Sequence, residues 1–322
     1  MKKLLLFLTF VLLAAGGLSS CRENSGNSLV LMTWNVHNLF DGNDDGFEYP
    51  EFRQSAGWSE EKYKGRINAI SAAIGKLPNA PDILILQEIE SLLVLEDIAA
   101  SLPNGYFWGH FAGNPESAIG VGVISRIPIT EVFDHGSVVG SSAVPRPVLE
   151  VRFDTGNFEF IVFACHWKSK IGGANETEFL RKAAGQIILR RSAEIWAEKP
   201  EIGIIIAGDL NMRINELDSI FLITGSTSPD SDSTYSTNST VWFSPWLDEL
   251  SGGTYFYRNN WETIDHFLVS RHLLSVYQRT YIGDFEPFAC PEGKPVPYNS
   301  RTGYGLSDHL PLIIIFSQPL RL

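Results

Sequence analysis

Polar residues of a few chemical types stand at the ends of apolar runs in this sequence. Asn35 follows Leu-Met-Thr-Trp, Glu88 follows Ile-Leu-Ile-Leu-Gln, and His166 follows Ile-Val-Phe-Ala-Cys. The same arrangement recurs at Asp209, Asn211, Asp265, Asp308 and His309. A polar side chain beside a buried strand costs free energy unless it is paired or binds something. Because these side chains are acids, amides and imidazoles, their repeated occurrence indicates a chemical site.

Carboxylate and amide oxygens suit a hard divalent cation such as Mg²⁺, with Mn²⁺ or Ca²⁺ as alternatives. Glu88 is the best candidate ligand, and Asn35 and Asp308 could complete or support the metal site. Taken singly, Glu88 also reads as a carboxylate at the start of a helix, and Asn35 as a turn residue. Asp209 and Asn211 are two residues apart, so extended backbone would project both to one side. An Asx turn closing a strand would explain the same pair.

The elements that must position these residues alternate between strands and helices. Apolar runs bounded by turn residues predict strands at 29–34, 83–86, 119–125, 148–153, 158–164, 202–207, 263–269 and 310–316. Helical spacing of apolar residues predicts helices at 60–77, 92–102 and 176–197. Several strands are apolar almost throughout, which predicts burial on both faces and an α/β fold. Residues 223–240 are rich in Ser and Thr, which predicts a long exposed loop.

Six motifs carry a resemblance to a known superfamily. They are Thr-Trp-Asn-Val at 33–36, Leu-Gln-Glu at 86–88, His-Trp-Lys-Ser-Lys at 166–170, Gly-Asp-Leu-Asn at 208–211, Ile-Asp-His-Phe-Leu at 264–268 and Ser-Asp-His-Leu-Pro at 307–311. In this order they resemble the endonuclease/exonuclease/phosphatase superfamily, which includes DNase I and the abasic-site endonucleases. The resemblance spans residues 29–316. It implies a four-layer α/β sandwich, with two mixed β-sheets face to face, helices outside and the site at one sheet edge.

The resemblance also implies roles for individual residues. Asp209 would polarise or deprotonate the attacking water, and Asn211 would hold the phosphate. His309 would lie beside the scissile phosphate with Asp265 as its orienting partner, while His166 would bind the phosphate or serve the leaving group. Further candidates for substrate contact are Lys168, Lys170, Arg301 and Tyr304. The histidines at 37 and 266 read as structural residues with satisfied hydrogen bonds.

These features predict a metal-dependent phosphodiester hydrolase, most simply a nuclease acting on DNA or RNA. The alternative within the same superfamily is a phosphatase or phospholipase-like esterase acting on inositol or lipid phosphates, because fold alone does not separate them. An inactive surface-binding module is a third hypothesis. The formal net charge of −12 excludes a broadly basic nucleic-acid coat, though not a local basic patch. The sequence indicates no obligate protein partner.

The first residues predict export. Lys2 and Lys3 precede an apolar run at 4–15, which has the pattern of a signal peptide over residues 1–20. Leu-Ser-Ser-Cys at 18–21 resembles a bacterial lipobox, so Cys21 is the predicted lipidation site, although ordinary secretion with a chance cysteine is the alternative. Residues 21–28 then form a polar tether and 29–322 a single domain. The predicted location is extracytoplasmic, on the periplasmic face or the cell surface of a bacterial membrane.

Cysteine usage is sparse. Three cysteines exclude a disulfide scaffold and a Cys-rich zinc module. An extracytoplasmic location would permit a bridge between Cys165 and Cys290. Cys165 lies in an apolar run, however, where a buried free thiol is the more common state. The sequence therefore does not favour a disulfide.

Overall fold

The structure, a computed structural model, describes residues 10–11, 28–103, 105–114, 117–139, 142–227 and 241–317. Of the predicted signal peptide it describes only Phe10–Val11, a two-residue strand that pairs with Gly109 and Trp108. The predicted lipidation site, Cys21, lies outside the described residues, as do positions 228–240 of the predicted loop. In the described part of the chain, no helix has both the length and the hydrophobicity needed to cross a membrane.

Two mixed seven-stranded sheets form the centre of the described structure. In spatial order, the first sheet contains β1 (Phe10–Val11), β4 (Trp108–Ala112), β5 (Gly120–Ser125), β3 (Ile83–Ile89), β2 (Ser28–Leu39), β16 (Leu312–Ser317) and β15 (Tyr277–Ile282). The second contains β10 (Leu222–Thr224), β11 (Val241–Phe243), β14 (Asp265–Ser270), β9 (Gly203–Asp209), β8 (Glu159–His166), β7 (Ser142–Asp154) and β6 (Ile129–Val139). A separate hairpin consists of β12 (Tyr255–Tyr257) and β13 (Asn260–Glu262).

The helices cover the outer faces of these sheets. They are α1 (Glu60–Ile74), α2 (Leu92–Ser101), α3 (Ala174–Glu198) and α4 (Ile214–Leu217), with 3-10 turns at Pro50–Phe52, Gln54–Ala56, Pro245–Leu247 and Arg271–Val276. Serine caps begin the first two, because Ser59 accepts a hydrogen bond from the amide of Lys62 and Ser91 accepts one from the amide of Val94. Helices α1 and α2 pack on the first sheet, and α3 packs on the second.

The strands are buried on both faces, as their nearly continuous apolar sequences predict. In β2, Met32 and Trp34 pack under α1 and α2, whereas Leu29 and Leu31 point between the two sheets. This alternation follows from the period of two in extended backbone. The result is helix, sheet, sheet and helix in four layers, which confirms the predicted α/β sandwich.

All eight predicted strands and all three predicted helices are present, with ends shifted by a few residues. Strands β1, β4, β6, β10, β11, β12, β13 and β15 were not predicted, and of these β6 and β15 mix charged and aromatic residues. Strands β6 and β15 lie at sheet edges, where one side of the strand faces solvent and charges are tolerated. The predicted loop begins later than expected, because β10 occupies residues 222–224. Both Cys165 and Cys290 are free thiols, and the first is buried.

Candidate active site

Strand direction brings the predicted residues of the first sheet to one edge. Strands β2 and β3 are parallel, and Asn35 is in register with Gln87. The side chains of Asn35 and Glu88 therefore lie near the carboxyl ends of two neighbouring strands. Strand β16 is antiparallel to β2, so His309, which precedes β16, lies at the same edge.

The second sheet supplies its residues to this edge in the same manner. His166 at the end of β8 is in register with Asp209 at the end of the parallel strand β9. Asp265 begins the antiparallel strand β14 and lies opposite Asp209. The backbones of β8 and β9 approach so closely that a Cβ on Gly208 would lie 1.9 Å from the carbonyl oxygen of Cys165. Only glycine fits there, and its φ of 137° also favours glycine.

The Asn35 amide links the two sheets. Its Nδ2 donates to Glu88 Oε1 at 3.1 Å and to Asp209 Oδ2 at 3.2 Å. The other carboxylate oxygen of Glu88 accepts from the backbone amide of Asn38 at 2.9 Å. Glu88 has a φ of 63°, a left-handed conformation that a non-glycine residue adopts at a cost. The surrounding hydrogen bonds hold this carboxylate in place against that cost.

His166 contacts both carboxylates without forming an ion pair. Its Nε2 lies 3.7 Å from Glu88 Oε1 and 3.7 Å from Asp209 Oδ2. Burial lowers the pKa of His166 well below its ordinary value, and the charges of Arg146, His309 and Lys168 lower it further. The imidazole is therefore neutral at pH 7. Its buried Nδ1 has no hydrogen-bond partner among the described residues.

His309 is held by a buried aspartate. Its Nδ1 lies 2.7 Å from Asp265 Oδ2, and the same oxygen accepts from Thr254 Oγ1 at 2.5 Å. Burial alone would lower the pKa of His309, but the charge and hydrogen bond of Asp265, together with the charges of Asp308 and Asp209, raise that pKa well above its ordinary value. The second oxygen, Asp265 Oδ1, is buried without a partner in the described residues. The structure thus pairs a charged imidazole with a fixed carboxylate.

Asp209 lies between the two imidazoles and the Asn35 amide. Burial and repulsion from Asp265 raise the pKa of Asp209 to about 7, against the lowering effect of His309. Its Oδ1 accepts from the backbone amide of Asn211 at 2.9 Å. Asn211 Nδ2 donates a hydrogen bond to the carbonyl of Trp167 at 3.1 Å. The Asn211 side chain therefore lies at the site, but its amide nitrogen already has a partner.

The donor set fits a hard divalent cation on the Glu88 side of this cluster. Ligand atoms of Asp209, Asp265 and His309 lie within 4.8 Å of one another, which makes a second candidate group. A protonated imidazole, however, has no lone pair for a metal, and Asp265 is committed to it. The carboxylates of Glu88 and Asp209 offer the oxygens that Mg²⁺ prefers, and Asn35 joins the two through its Nδ2 while its Oδ1 accepts from the His37 amide.

Asp308, the third predicted metal residue, directly precedes His309 and lies beside His37. Its Oδ1 is 4.0 Å from His37 Nδ1, and no hydrogen bond joins it to Asn35 or Glu88 in the described structure. His37 Nδ1 also accepts a hydrogen bond from the backbone amide of Tyr298 at 3.2 Å, in keeping with a structural histidine. A role for Asp308 at the metal site stays a prediction, and its negative charge contributes to raising the pKa of His309.

The four predicted substrate contacts differ in their surroundings. Lys168 forms no ion pair with a described residue, and burial lowers its pKa, with Arg146 and Arg181 adding to the effect. Lys170 is paired with Glu216, with Nζ–Oε distances of 2.8 and 3.0 Å. Arg301 and Tyr304 lie on an exposed loop, and the side chain of Tyr304 is 71% exposed. Of the four, Lys168 is the residue whose charge acts on His166 and forms no ion pair with a described residue.

Two residues near the site were not predicted from the sequence. Arg146 Nη1 donates to the carbonyl of Trp167 at 2.7 Å, next to His166. The ring of Tyr255 lies 4.7 Å from the His309 ring at an angle of 34°. In the sequence, Arg146 stands only as a cation between two prolines before a strand. Tyr255 begins an aromatic Tyr-Phe-Tyr run before the motif that contains Asp265. Neither signal indicates a site without the tertiary structure.

Solved structures share this DNase I-like fold over nearly the whole chain. Truncated TDP2 from Caenorhabditis elegans is 16% identical with a TM-score of 0.58, and the match covers 90% of this chain and 97% of that one. An endonuclease/exonuclease/phosphatase family protein from Bacteroides thetaiotaomicron is 19% identical with a TM-score of 0.56, covering 91% and 96%. The human Nocturnin catalytic domain with a bound sulfate anion is 18% identical with a TM-score of 0.53, covering 90% and 94%. At these identities the likeness shows the fold.

The sequence itself shows the family. Residues 30–318 match the profile of the Endonuclease/Exonuclease/phosphatase family, which is most of the chain. The chain belongs to this family and is a metal-dependent phosphoesterase. No curated protein matches the sequence.

Proposed function

We propose that this enzyme is a Mg²⁺-dependent phosphodiesterase that cleaves nucleic acid, with DNA as its main substrate. The observation that carries the proposal is the pair of imidazoles beside Asp209: His166 Nε2 lies 3.7 Å from Asp209 Oδ2, and His309 is held at 2.7 Å by Asp265. An alkoxide leaves a phosphodiester poorly unless its negative charge is stabilised or protonated. A charged imidazole supplies this stabilisation, and a buried carboxylate next to it can accept a proton from water.

The roles we propose follow from the surroundings of each group. A divalent cation held by Glu88, whose carboxylate Asn35 supports, would neutralise negative charge on the phosphate. Asp209, with its pKa raised to about 7, accepts a proton from the attacking water near neutral pH. His309 donates a hydrogen bond to the phosphoryl group, and Asp265 fixes its tautomer and orientation. His166 serves the phosphate or the leaving group.

The surroundings of His309 favour a nucleotide over an inositol or lipid phosphate. Tyr255 stacks beside its ring, and Tyr257 lies 6.0 Å from Tyr255 at an interplanar angle of 17°. Aromatic rings of this kind offer stacking surface for a nucleobase. Lys168 and Arg146 add positive charge next to His166, although the chain as a whole is acidic. The contacts with nucleic acid would thus be local.

The test compares substrates under one set of conditions. Supercoiled plasmid, linear DNA, RNA, nucleotide monoesters, inositol phosphates and phospholipid vesicles are incubated with the enzyme and Mg²⁺, with and without EDTA. We expect cleavage of DNA that EDTA abolishes, and loss of cleavage in Asp209→Asn and His309→Ala. His272→Ala, whose ring packs against Trp196 remote from the cluster, is the matched control and retains activity. Turnover of monoesters or lipids without cleavage of nucleic acid would overturn the substrate assignment.

We further propose that the enzyme is exported and anchored by a lipid on Cys21 to a bacterial membrane, on the periplasmic face or the cell surface. The support is the lipobox-like Leu-Ser-Ser-Cys at 18–21. Expression in a bacterium with radiolabelled palmitate should label the wild type and should not label Cys21→Ala. Labelling of both variants, or of neither, would contradict the anchor.

A further inference from the structure

Arg66 of α1 is a buried cation without a carboxylate partner in the described structure. Its side chain is 1% exposed, and the guanidinium lies 4.0 Å from the ring centroid of Tyr298. Nη1 donates to the carbonyl of Asn38 at 2.6 Å, and Nη2 donates to the carbonyls of Val36 and His37. Burying a cation is costly, so an arrangement that pairs it with backbone carbonyls and leaves its Nε without a partner in the described structure calls for a reason.

The same peptide units face the metal side of the site with their amides. The peptide between Val36 and His37 gives its carbonyl to Arg66 and its N–H to Asn35 Oδ1 at 3.0 Å. The next peptide gives the carbonyl of His37 to Arg66 and the N–H of Asn38 to Glu88 Oε2 at 2.9 Å. In a trans peptide the C=O and N–H point in opposite directions. Holding the carbonyls therefore aims the amides at Asn35 and Glu88.

The backbone at His37 and Asn38 has a conformation that surrounding contacts must stabilise. His37 has a φ of 58° and Asn38 a φ of 57°, so two consecutive non-glycine residues are left-handed. Such conformations persist only where surrounding contacts impose them. The planar fork of an arginine can hold several carbonyls in fixed directions, which the single nitrogen of a lysine cannot do.

From these contacts we infer that Arg66 is a positioning residue that fixes Asn35 and Glu88, and with them the carboxylate that would hold the divalent cation, through two intervening peptide units. The inference rests on the proposed assignment of Glu88 to the cation, with Asn35 supporting that carboxylate. Arg66 itself donates to backbone carbonyls and forms no ion pair with a carboxylate in the described structure. Its effect is on how well the metal side of the site is organised before the cation binds.

The experiment measures metal affinity directly, apart from turnover. Mn²⁺ is titrated into folded protein, and the free ion is followed by its electron paramagnetic resonance signal. Arg66→Lys keeps the charge but loses the fork, and Arg66→Met loses both. We expect both variants to weaken Mn²⁺ binding about tenfold or more, the size seen when a group that orients a metal ligand is removed. With Arg66→Lys, raising the Mg²⁺ concentration should recover part of the lost activity.

Arg191→Met is the matched control for loss of stability. Arg191 is a partly buried arginine whose ion pairs are with Glu150 and Glu194, remote from Asn35 and Glu88. The Arg191→Met substitution should lower the melting temperature and leave the Mn²⁺ affinity within about twofold of wild type. If Arg66→Met does not fold, Tyr298→Leu loosens the guanidinium while keeping its donors and should weaken Mn²⁺ binding in the same direction.

Glu88→Gln separates the two ways in which the idea can fail. If Glu88→Gln binds Mn²⁺ like wild type, the proposed metal assignment is wrong. If Glu88→Gln binds weakly while both Arg66 variants keep the wild-type affinity and lose only thermal stability, the metal assignment stands and the positioning role of Arg66 is overturned.

Discussion

Replacing Asp265 by asparagine tests the charged state of His309, on which the proposed chemistry depends. Asp265 is 1% exposed, and its Oδ2 accepts from His309 Nδ1 at 2.7 Å and from Thr254 Oγ1 at 2.5 Å. Asparagine keeps the shape and one acceptor oxygen but removes the charge. Without that charge, burial is opposed mainly by Asp308 and Asp209, so we expect the pKa of His309 to fall. The imidazole would then be neutral at pH 7.

The size of the effect follows from these contacts. Each unit by which the pKa of His309 falls below the assay pH reduces the charged fraction about tenfold. A positioned acid or base contributes about 10²–10⁴ in rate, so we expect kcat to fall about 10³-fold, equivalent to about 4 kcal/mol of transition-state free energy. Two hydrogen bonds to a charged oxygen become bonds to a neutral one, which should lower the free energy of unfolding by about 2 kcal/mol.

Steady-state kinetics on DNA with saturating Mg²⁺ measure kcat across pH 5–9, and calorimetry measures the melting temperature. Thr254→Ala removes one hydrogen bond and keeps the charge, so it should lose about tenfold in kcat. Asp248→Asn, on an exposed residue after a 3-10 turn, is the control and should match wild type. Asp265→Asn should recover activity on the acidic side, where the imidazole regains its proton. A kcat within about threefold of wild type at neutral pH would refute the assigned role of this pair.

Three further outcomes are expected. EDTA should abolish activity and Mg²⁺ should restore it, whereas turnover that survives chelation would argue against the family chemistry in this chain. In kinetic assays at several salt concentrations, Lys168→Ala should raise KM for DNA and reduce the dependence of KM on salt. Lys170→Ala should change both quantities little, because Lys170 is paired with Glu216. Equal effects of the two substitutions would contradict this distinction. Burial raises the pKa of Glu150, but hydrogen bonds from His135 and Arg191 outweigh it and lower the pKa to about 2 from 4.5. The resulting stabilisation, at most about 3 kcal/mol, should be present above pH 4.5 and be lost as pH falls towards 2; denaturant unfolding of Glu150→Gln should show this part of the pH dependence removed.

Much of the fold could be predicted because its signals are local. Strands such as β3, β9 and β16 are runs of Ile and Leu that are buried on both faces, and the turn residues beside them are visible in the sequence. The edge strands β6 and β15 were missed because their partial exposure permits charges that interrupt the apolar pattern. Whether such a segment pairs depends on the neighbouring strand, which a local pattern does not report.

The residues of the site could be named from the sequence, but their partners could not. Lys168 and Lys170 stand in one motif and look alike, yet the structure pairs Lys170 with Glu216 and leaves Lys168 without an ion pair among the described residues. Asp308 directly precedes His309, yet its Oδ1 lies 4.0 Å from His37 Nδ1, a contact that the spacing does not predict. Such distinctions depend on side-chain distances of a few ångströms, which the spacing along the chain does not encode.

The sequence by itself determined the element types, the α/β class and the set of acids, amides and imidazoles, because apolar periodicity and residue type are properties of short segments. Only the tertiary structure decided that the Asn35 amide bridges Glu88 and Asp209, and that Arg66 holds the backbone behind Asn35. It also decided which histidine is charged, since the pKa of each depends on burial and on neighbouring charges far away in the sequence. Chain folding brings these distant groups together in one low-dielectric cluster, and their interactions exist only there.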